Sequence, residues 1–383
     1  MSENKIPKIF ILLAIAIIVL ASQPCFGANG DGGSSPRHVF ERTANHDNVM
    51  KILLYYDMEG LAGQKILTSI DFPRPEYFEA REMLTNDVNA VIDGLCEGGA
   101  DSIYVVDAHG SFNPEPDIIL EKMDPRAQML FKKEKFHPYV DLLDENNYDA
   151  IVAVGMHSKT GGGGFAEHTI NLGTDWVLNG MSVNESEILA YSWGRIGIPL
   201  IFVSGDDKLA DQLSWMKWIE YVTVKEAAGI GDAVLYPVDQ VHENLRAAAQ
   251  RSLENIDKMK AVGLSKPITA ELRVRPPADL SILRRFPGID YNDQSVSFEA
   301  DDFHEAYHGM RGLMDVAQSG YYDIAAGILF NQGAESFNEF KDSVFSAWRR
   351  SAPDMDDAGE ISKPTPPKEK KKEKEDKLYF GSQ

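Results

Sequence analysis

Five side chains that bind metals or transfer protons follow three short apolar runs of the chain. Asp57 and Glu59 come after the first run, Asp107 and His109 after the second, and His157 after the third. Alternate residues of a strand point to the same face, so each pair presents its side chains together. Carboxylate oxygens and imidazole nitrogens together suit Zn²⁺, and two ions sharing a carboxylate are a recurring hydrolase design. The pattern predicts a two-metal site.

Each of these residues alone has a simpler interpretation. An Asp-x-Glu after a strand is usually a cap or a loop salt-bridge group, and a single histidine is more often a hydrogen-bonded loop residue. The combination favours a metal site, because ligands of parallel α/β sheets bind just outside the carboxyl ends of the strands. Glu185 begins a predicted helix that folds back over this edge of the sheet.

The elements that must position these residues alternate between strands and helices. Short apolar runs predict buried strands, and apolar residues at helical spacing predict the helices. The predicted strands are Met50–Tyr56, Ser102–Val106, Ala150–Gly155, Pro199–Val203, Ile268–Val274 and Ser295–Glu299. The predicted helices are Glu76–Glu97, Asn184–Trp193, Lys208–Met216, Val238–Met259 and Phe303–Gln318. We expect an α/β fold, a three-layer sandwich with a mostly parallel, mixed central sheet, and a smaller C-terminal α+β part.

The ends of the chain differ in composition from its middle. Residues 1–27 have an early positive charge and an apolar run of about a dozen residues, as in a secretory signal peptide; an uncleaved membrane anchor is the rival interpretation. We expect a flexible lead-in at 28–48, a catalytic domain at 49–320 and a C-terminal helical extension at 321–350. Residues 351–383 are rich in Pro, Lys and Glu and predict a disordered tail.

Charge and cysteine content exclude some classes of partner and bond. The formal net charge is −21, and no basic patch stands outside the tail, which argues against nucleic acid as a partner. The two cysteines are Cys25, within the predicted signal, and Cys96. The mature chain would keep one thiol, so we expect no internal disulfide. We also expect no stable membrane span in the mature chain, and a secreted or periplasmic location.

Four consecutive glycines occupy 161–164. They lack the spacing of either nucleotide-binding signature, so a phosphate cradle is the less favoured interpretation. The run predicts a mobile loop beside the site. A second histidine, His168, follows it.

Taken together, these motifs resemble the zinc-dependent D-aminopeptidase family, whose members form self-compartmentalising decamers and hydrolyse short D-amino-acid peptides. The resemblance covers roughly Met50 to Gln318. The matching motifs are Asp57-Met58-Glu59-Gly60, Asp107-Ala108-His109, Gly155-Met156-His157, His168 eleven positions later, Val183-Asn184-Glu185, Gly205-Asp206-Asp207 and the closing stretch VSFEADDFHEAYHGM.

The resemblance implies a role for each matched residue. The implied ligands of two Zn²⁺ per subunit are Asp57, Glu59, His109, His157 and Glu185, with Asp57 as the bridging carboxylate. Glu187, in the same SVNESE stretch, is a rival for Glu185. The implied catalytic residue is His168, described in the family as the nucleophile. Chemically, its imidazole is equally suited to be a general base or to stabilise a tetrahedral intermediate.

The activity implied is that of a dinuclear zinc aminopeptidase acting on short peptides with D-amino-acid N-termini, and the implied partner is a further copy of the chain in a homo-oligomer, up to a decamer. Secretion follows from the predicted signal, which together with the lysine-rich tail is an addition to the family pattern. The glycine-rich loop and Glu167, directly before His168, depart from the family pattern. Two alternatives remain at this point. One is another metal-dependent hydrolase reaction, and the other is a catalytically silent secreted protein that binds metal or peptide.

Overall fold

The central feature of the fold is a seven-stranded mixed sheet. The computed structural model describes residues 35–43, 49–131, 137–140, 148–285, 291–292, 294–317, 325 and 328–351. The strands of the chain are β1 (Arg37–Glu41), β2 (Lys51–Tyr56), β3 (Ser102–Asp107), β4 (Ala127–Leu130), β5 (Ala150–Met156), β6 (Thr174–Leu178), β7 (Met181–Val183), β8 (Leu200–Asp206), β9 (Glu220–Ala227), β10 (Ala233–Leu235), β11 (Lys260–Leu264), β12 (Ile268–Val274) and β13 (Ser295–Ala300). The predicted signal peptide and nearly all of the predicted tail lie outside the described residues.

The order of the strands in this sheet creates a crevice at their carboxyl ends. The order is β10-β9-β8-β5-β2-β3-β4, and every pairing is parallel except that of β10 with β9. The chain runs from β2 to β3 and β4 on one side, then returns to β5 and β8 on the other side of β2. Such a reversal leaves a crevice beyond the carboxyl ends of the strands. The predicted metal-binding residues follow β2, β3 and β5 at this position.

Two apolar layers cover the sheet, one on each face. The helices are α1 (Pro75–Glu97), α2 (Glu185–Gly194), α3 (Asp207–Leu213), α4 (Val238–Glu254), α5 (Phe303–Val316) and α6 (Ala334–Ser351). Ile52 and Leu54 of β2 pack with α1 and α4, whereas Leu53 and Tyr55 pack on the opposite face with α2 and α5. This alternation along one strand explains its continuous apolar sequence, since both faces are buried. The expected three-layer α/β sandwich is confirmed.

A second, four-stranded antiparallel sheet completes the layer on the α2 side. Its order is β13-β12-β6-β7. The strands β12 and β13 match two predicted strands, whereas β6 and β7 were not predicted. The loop between β5 and β6 contains the glycine run and His168. The sheet therefore anchors the far end of the loop that approaches the predicted site.

The expected flexible lead-in contains a strand. β1 pairs with β11 in antiparallel register, from Arg37 opposite Leu264 to Glu41 opposite Lys260. The guanidinium of Arg37 also lies 3.5 Å from the ring centroid of Trp215. The prediction of a flexible lead-in is wrong for these residues. Their backbone N–H and C=O groups pair with those of β11, a long-range contact that the polar composition of the segment does not reveal.

The helices largely match their predicted positions. α4 ends at Glu254 and is followed by a short 3-10 turn, Ile256–Lys258, so the predicted helix to Met259 is broken near its end. α6 falls within the expected C-terminal helical extension. Among the described residues, no helix combines the length and apolar character needed to cross a membrane.

Candidate metal centre

The turns after β2 and β5 lie against each other. The backbone N–H of Gly60 donates to the carbonyl of Gly155 at 2.7 Å, and that of Asp57 donates to Val154 at 2.8 Å. A Cβ atom on Gly60 would lie 2.0 Å from the carbonyl oxygen of Met156. Gly155 adopts φ +74°, which L side chains rarely adopt. The glycine after Asp-x-Glu and the glycine before His157 are thus required for two strand ends to approach closely.

These turns bring the predicted ligands together in the protein interior. His157 Nε2 lies 3.4 Å from Asp57 Oδ2 and 3.4 Å from Glu185 Oε1. His109 Nε2 lies 3.4 Å from Glu59 Oε1. All five side chains are at least nine-tenths buried. The structure therefore gathers side chains from the ends of three parallel strands and the start of α2.

The donor atoms form three overlapping groups of metal-ligand type. Within each group the ligand atoms lie no more than 4.8 Å apart. The groups are Asp57 with His157 and Glu185, Asp57 with Glu59 and His109, and Glu59 with His157 and His168. Buried oxygen and imidazole donors in this arrangement fit Zn²⁺. Asp57 is common to the first two of these groups.

A buried atom with unused bonding capacity supports the same fit. His157 Nε2 is buried and makes no hydrogen bond to any described residue, although two carboxylates lie 3.4 Å away. Buried polar side-chain atoms usually have a partner. The other ring nitrogen, Nδ1, lies 2.9 Å from the carbonyl of Ser158. This contact orients the ring so that Nε2 faces the carboxylates.

The charges of the cluster favour a cation. Burial raises the pKa of Asp57 well above its usual value, and the neighbouring carboxylate of Glu59 raises it further. Burial lowers the pKa of His157, but the carboxylates of Asp57 and Glu185 outweigh it, so this pKa lies well above its usual value. The protein alone thus retains protons among these groups. A divalent cation would replace them, because metal ligands bind in their deprotonated forms.

The hydrogen bonds at the start of α2 show which of Glu185 and Glu187 faces the ligand cluster. Glu187 occupies the third helical position, where its carboxylate accepts from the Asn184 backbone N–H at 3.2 Å while the Asn184 side chain accepts from the Glu187 N–H. Glu187 also accepts from Trp215 Nε1 at 2.9 Å. These capping contacts direct Glu187 away from the cluster, whereas Glu185 faces it.

His168 lies against the ligand cluster. Its ring stacks on that of His157, with centroids 4.1 Å apart, and its Nε2 lies 3.9 Å from both Glu59 Oε1 and Glu185 Oε1. Its Nδ1 lies 2.9 Å from the carbonyl of Ala166. That contact favours the tautomer with the proton on Nδ1, which leaves the Nε2 lone pair directed toward the cluster. Burial lowers the pKa of His168, and the neighbouring His157 lowers it further.

The glycine-rich loop before His168 is folded around a buried carboxylate. Glu167 accepts hydrogen bonds from the backbone N–H groups of Gly161, at 3.0 Å, and Gly163. Arg275 Nη2 donates to the same carboxylate at 2.5 Å. The predicted mobility of this loop stays a prediction, and the structure shows which contacts hold its described conformation. Glu167, a departure from the family pattern, provides the central acceptor of the loop.

At the end of β3, His109 lies among the candidate metal ligands, whereas Asp107 does not. Asp107 Oδ1 accepts from the His109 backbone N–H at 3.0 Å, and its Oδ2 accepts from the Asp117 N–H at 3.3 Å. Its carboxylate therefore shapes the turn. Asp117 Oδ2 in turn lies 2.9 Å from His109 Nδ1, which leaves Nε2 of His109 facing Glu59. A carboxylate on the far nitrogen is the usual support of a metal-binding histidine.

The chain is similar to known proteins over most of its described length. A family model described as D-aminopeptidase matches residues 50–312. The chain belongs to the D-aminopeptidase family. It is 26% identical over 276 residues to the D-aminopeptidase of Bacillus subtilis (strain 168), covering 70% of this chain and 98% of that protein. The resemblance stated from the motifs is thus confirmed, and the chain is placed among peptidases.

A solved structure from the same family supports the fold. It is that of the Zn-dependent D-aminopeptidase DppA from Bacillus subtilis, a self-compartmentalizing protease. The TM-score is 0.62 at 22% identity, and the match covers 70% of this chain and 97% of that one. The α/β architecture is therefore shared with a member of the D-aminopeptidase family.

Several residues around the centre of this D-aminopeptidase homologue were not predicted from the sequence. Asp117 supports His109, and Tyr139 donates through its hydroxyl to Glu185. Lys225 is fully buried and donates to the backbone carbonyl of Glu59 at 2.6 Å, and burial lowers its pKa to about 7. A metal-binding histidine almost always donates its other ring N–H to a carboxylate, a carbonyl or water, so a residue in the position of Asp117 is to be expected. No spacing in the sequence identifies which one.

We expect Asp117→Asn to weaken metal binding without unfolding the protein. The amide keeps the shape but loses the charge that orients and polarises His109, and losses of about 10–100-fold in metal affinity are usual for such partners. Competition with a chromophoric chelator measures the affinity. Asp257→Asn, at a carboxylate that is 89% exposed, is the control. Equal affinities in both variants would show that Asp117 does not support the centre.

Proposed function

We propose that the chain is a dinuclear zinc aminopeptidase that releases the N-terminal residue of short peptides, with D-amino acids at that position. The observation that carries this proposal is the pair of ligand groups sharing Asp57: His157 and Glu185 on one side, Glu59 and His109 on the other. Two ions joined by one carboxylate are a recurring design for hydrolysis. Family membership and the name of the Bacillus subtilis relative support the peptide substrate and its stereochemistry.

The proposed roles divide between holding the ions and moving protons. Asp57, Glu59, His109, His157 and Glu185 hold the two ions, and burial excludes bulk water from them. Zinc supplies Lewis-acid polarisation of a carbonyl group and lowers the pKa of a water that it binds.

His168 has the geometry of the proton-transferring group. Its Nε2 faces the cluster, and its Nδ1 contact with Ala166 fixes the ring orientation. A neutral imidazole in this position accepts a proton from the attacking water and returns it to the leaving amine, which is the usual action of a general base that becomes a general acid. We propose this role in place of a nucleophile, because in a zinc hydrolase a water molecule supplies the attacking oxygen and the imidazole is then needed only to transfer its proton.

Two further features of the proposal concern the whole molecule. The family relative described as a self-compartmentalizing protease supports a homo-oligomer for this chain, up to the decamer that the resemblance implies. Heterologous interfaces close into rings when the rotation permits. The apolar run near the N-terminus supports secretion, to the medium or the periplasm.

The deciding experiment measures metal content and turnover together. We expect purified protein to contain about two zinc ions per subunit, as in two-metal hydrolases. We expect it to release alanine from D-Ala-D-Ala faster than from L-Ala-L-Ala by about tenfold or more, a difference of about 1.4 kcal/mol in the barrier. Chelation should abolish both reactions, and added zinc should restore them. A metal-loaded protein that cleaves neither dipeptide would refute the proposed activity.

A further inference from the structure

The cavity beside the metal centre is bordered by a helix outside the family match. This cavity has a volume of about 130 Å³. Glu59, His109 and His168 line one side of it, and Lys341 and Phe345 of α6 line the other. The family model matches residues only as far as 312, whereas α6 spans Ala334–Ser351. One wall of the substrate space is therefore provided by a part of the chain beyond the shared fold.

α6 is packed into the structure beside the centre. Trp348 is fully buried and meets the ring of His168 edge-on, with centroids 6.0 Å apart. Nearer the start of α6, Arg74 Nη2 contacts Asp342 Oδ1 at 2.8 Å and donates to the carbonyl of Asn338 at 3.3 Å. Burial of the aromatic side chain and this polar contact fix the helix against the pocket. Its cavity-facing residues are thus part of a built wall.

The wall formed by α6 carries a positive charge. Lys341 is only 4% exposed and pairs with Asp71, which also lines the cavity. Arg74 Nε lies 3.7 Å from the other oxygen of Asp71, so two buried cations face one buried carboxylate. The second partner of Arg74, Asp342, is 61% exposed and screened by water. Lys341 therefore brings a buried ammonium group to the lining of the cavity that also contains the metal ligands.

We propose that α6 restricts this enzyme to very short peptides with a free C-terminal carboxylate, and that Lys341 is the residue that binds that carboxylate. The inference rests on the proposed peptidase activity. The cavity is small beside the roughly 300–1,000 Å³ of ordinary small-molecule sites, which favours a short substrate. In a dipeptide the carboxylate follows the scissile bond by one residue, and successive Cα atoms are about 3.8 Å apart. Because Lys341 and the metal ligands line the same cavity, we infer that this carboxylate contacts Lys341 while the peptide bond is at the metal ligands.

The test compares a substrate with its amide. Wild-type protein should prefer D-Ala-D-Ala over D-Ala-D-Ala amide by about 10–100-fold in kcat/KM, mainly through KM, the usual scale for a hydrogen bond to a charged group. Lys341→Met should abolish this preference, and Lys341→Arg should keep most of it. Wild-type protein should also discriminate against D-Ala-D-Ala-D-Ala, whose carboxylate lies one residue too far away.

A second variant and a second readout separate specificity from general damage. Lys341→Met leaves Asp71 with Arg74 as its remaining cation, so Asp71→Asn/Lys341→Met removes both charges of the Asp71–Lys341 pair together. The acid-to-amide ratio should be lost in both variants, whatever happens to the absolute rate. Calorimetric binding of the acid and the amide to zinc-loaded protein gives the same ratio without turnover. Failure to cleave either compound would contradict the proposed activity, whereas an unchanged binding ratio in the folded Lys341→Met variant would overturn the role of Lys341.

Discussion

His168→Ala is expected to retain its metal and lose its activity. The five other ligand-type residues supply two overlapping groups without His168. Removal of the imidazole eliminates the lone pair on Nε2 that faces the cluster, and loss of a proton-transferring group typically costs about 10²–10⁴-fold in rate. Metal content by mass spectrometry, kcat on D-Ala-D-Ala and the melting temperature are measured on the same preparation. We expect only kcat to change strongly.

Two comparison variants define what this result means. His304→Ala removes an exposed histidine of α5 and should leave kcat and metal content unchanged. His157→Ala removes a ligand present in two of the three groups and should lose metal and stability together, because metal-binding energy is also folding energy. If His168→Ala loses zinc as readily as His157→Ala, then His168 is a ligand in the third group. Near-full turnover by a metal-loaded His168→Ala would exclude the catalytic role.

The core of the centre was predictable because strand ends in parallel sheets follow a simple rule. The apolar runs of β2, β3 and β5 are buried on both faces, and their parallel order places their carboxyl ends side by side. Asp57, His109 and His157 therefore had to converge if the runs were adjacent strands. The choice between Glu185 and Glu187 as the metal ligand required the capping geometry of α2. That geometry depends on the exact residue at which the helix begins, which the sequence does not give.

Residues that depend on long-range packing were not predictable in this way. Lys341 meets Asp71 across 270 positions of the chain, and neither lies in a periodic pattern that points to the other. Asp117 reaches His109 through an irregular loop, whose path no spacing rule describes. The glycine run offered only conformational freedom, whereas its conformation is set by Glu167. Such positions are determined by tertiary contacts rather than by local sequence.

Asp57→Asn is expected to prevent binding of both ions. Asp57 belongs to both ligand groups of the proposed two-metal site, and an amide is a much weaker zinc ligand than a carboxylate. We expect less than one zinc per subunit and a loss of activity beyond about 10²-fold, because both Lewis-acid groups are lost. Glu187→Gln is the matched control, since it neutralises another buried carboxylate that lies outside the cluster. It should keep its zinc.

The second part of this prediction concerns the free energy of unfolding of the protein with and without metal. Wild-type protein should lose about 4 kcal/mol of unfolding free energy on chelation if zinc was present at a thousand times its Kd. Asp57→Asn should show no response to chelator. Burial and the carboxylate of Glu59 both disfavour the charged form of Asp57, so the uncharged amide should make the metal-free variant at least as stable as metal-free wild type. Chemical denaturation of wild type and of Asp57→Asn, each with and without chelator, measures the free energy of unfolding of all four samples. A metal-free Asp57→Asn protein clearly less stable than metal-free wild type would show that the Asp57 carboxylate stabilises the fold itself, whereas unchanged zinc content in this variant would overturn the bridging role.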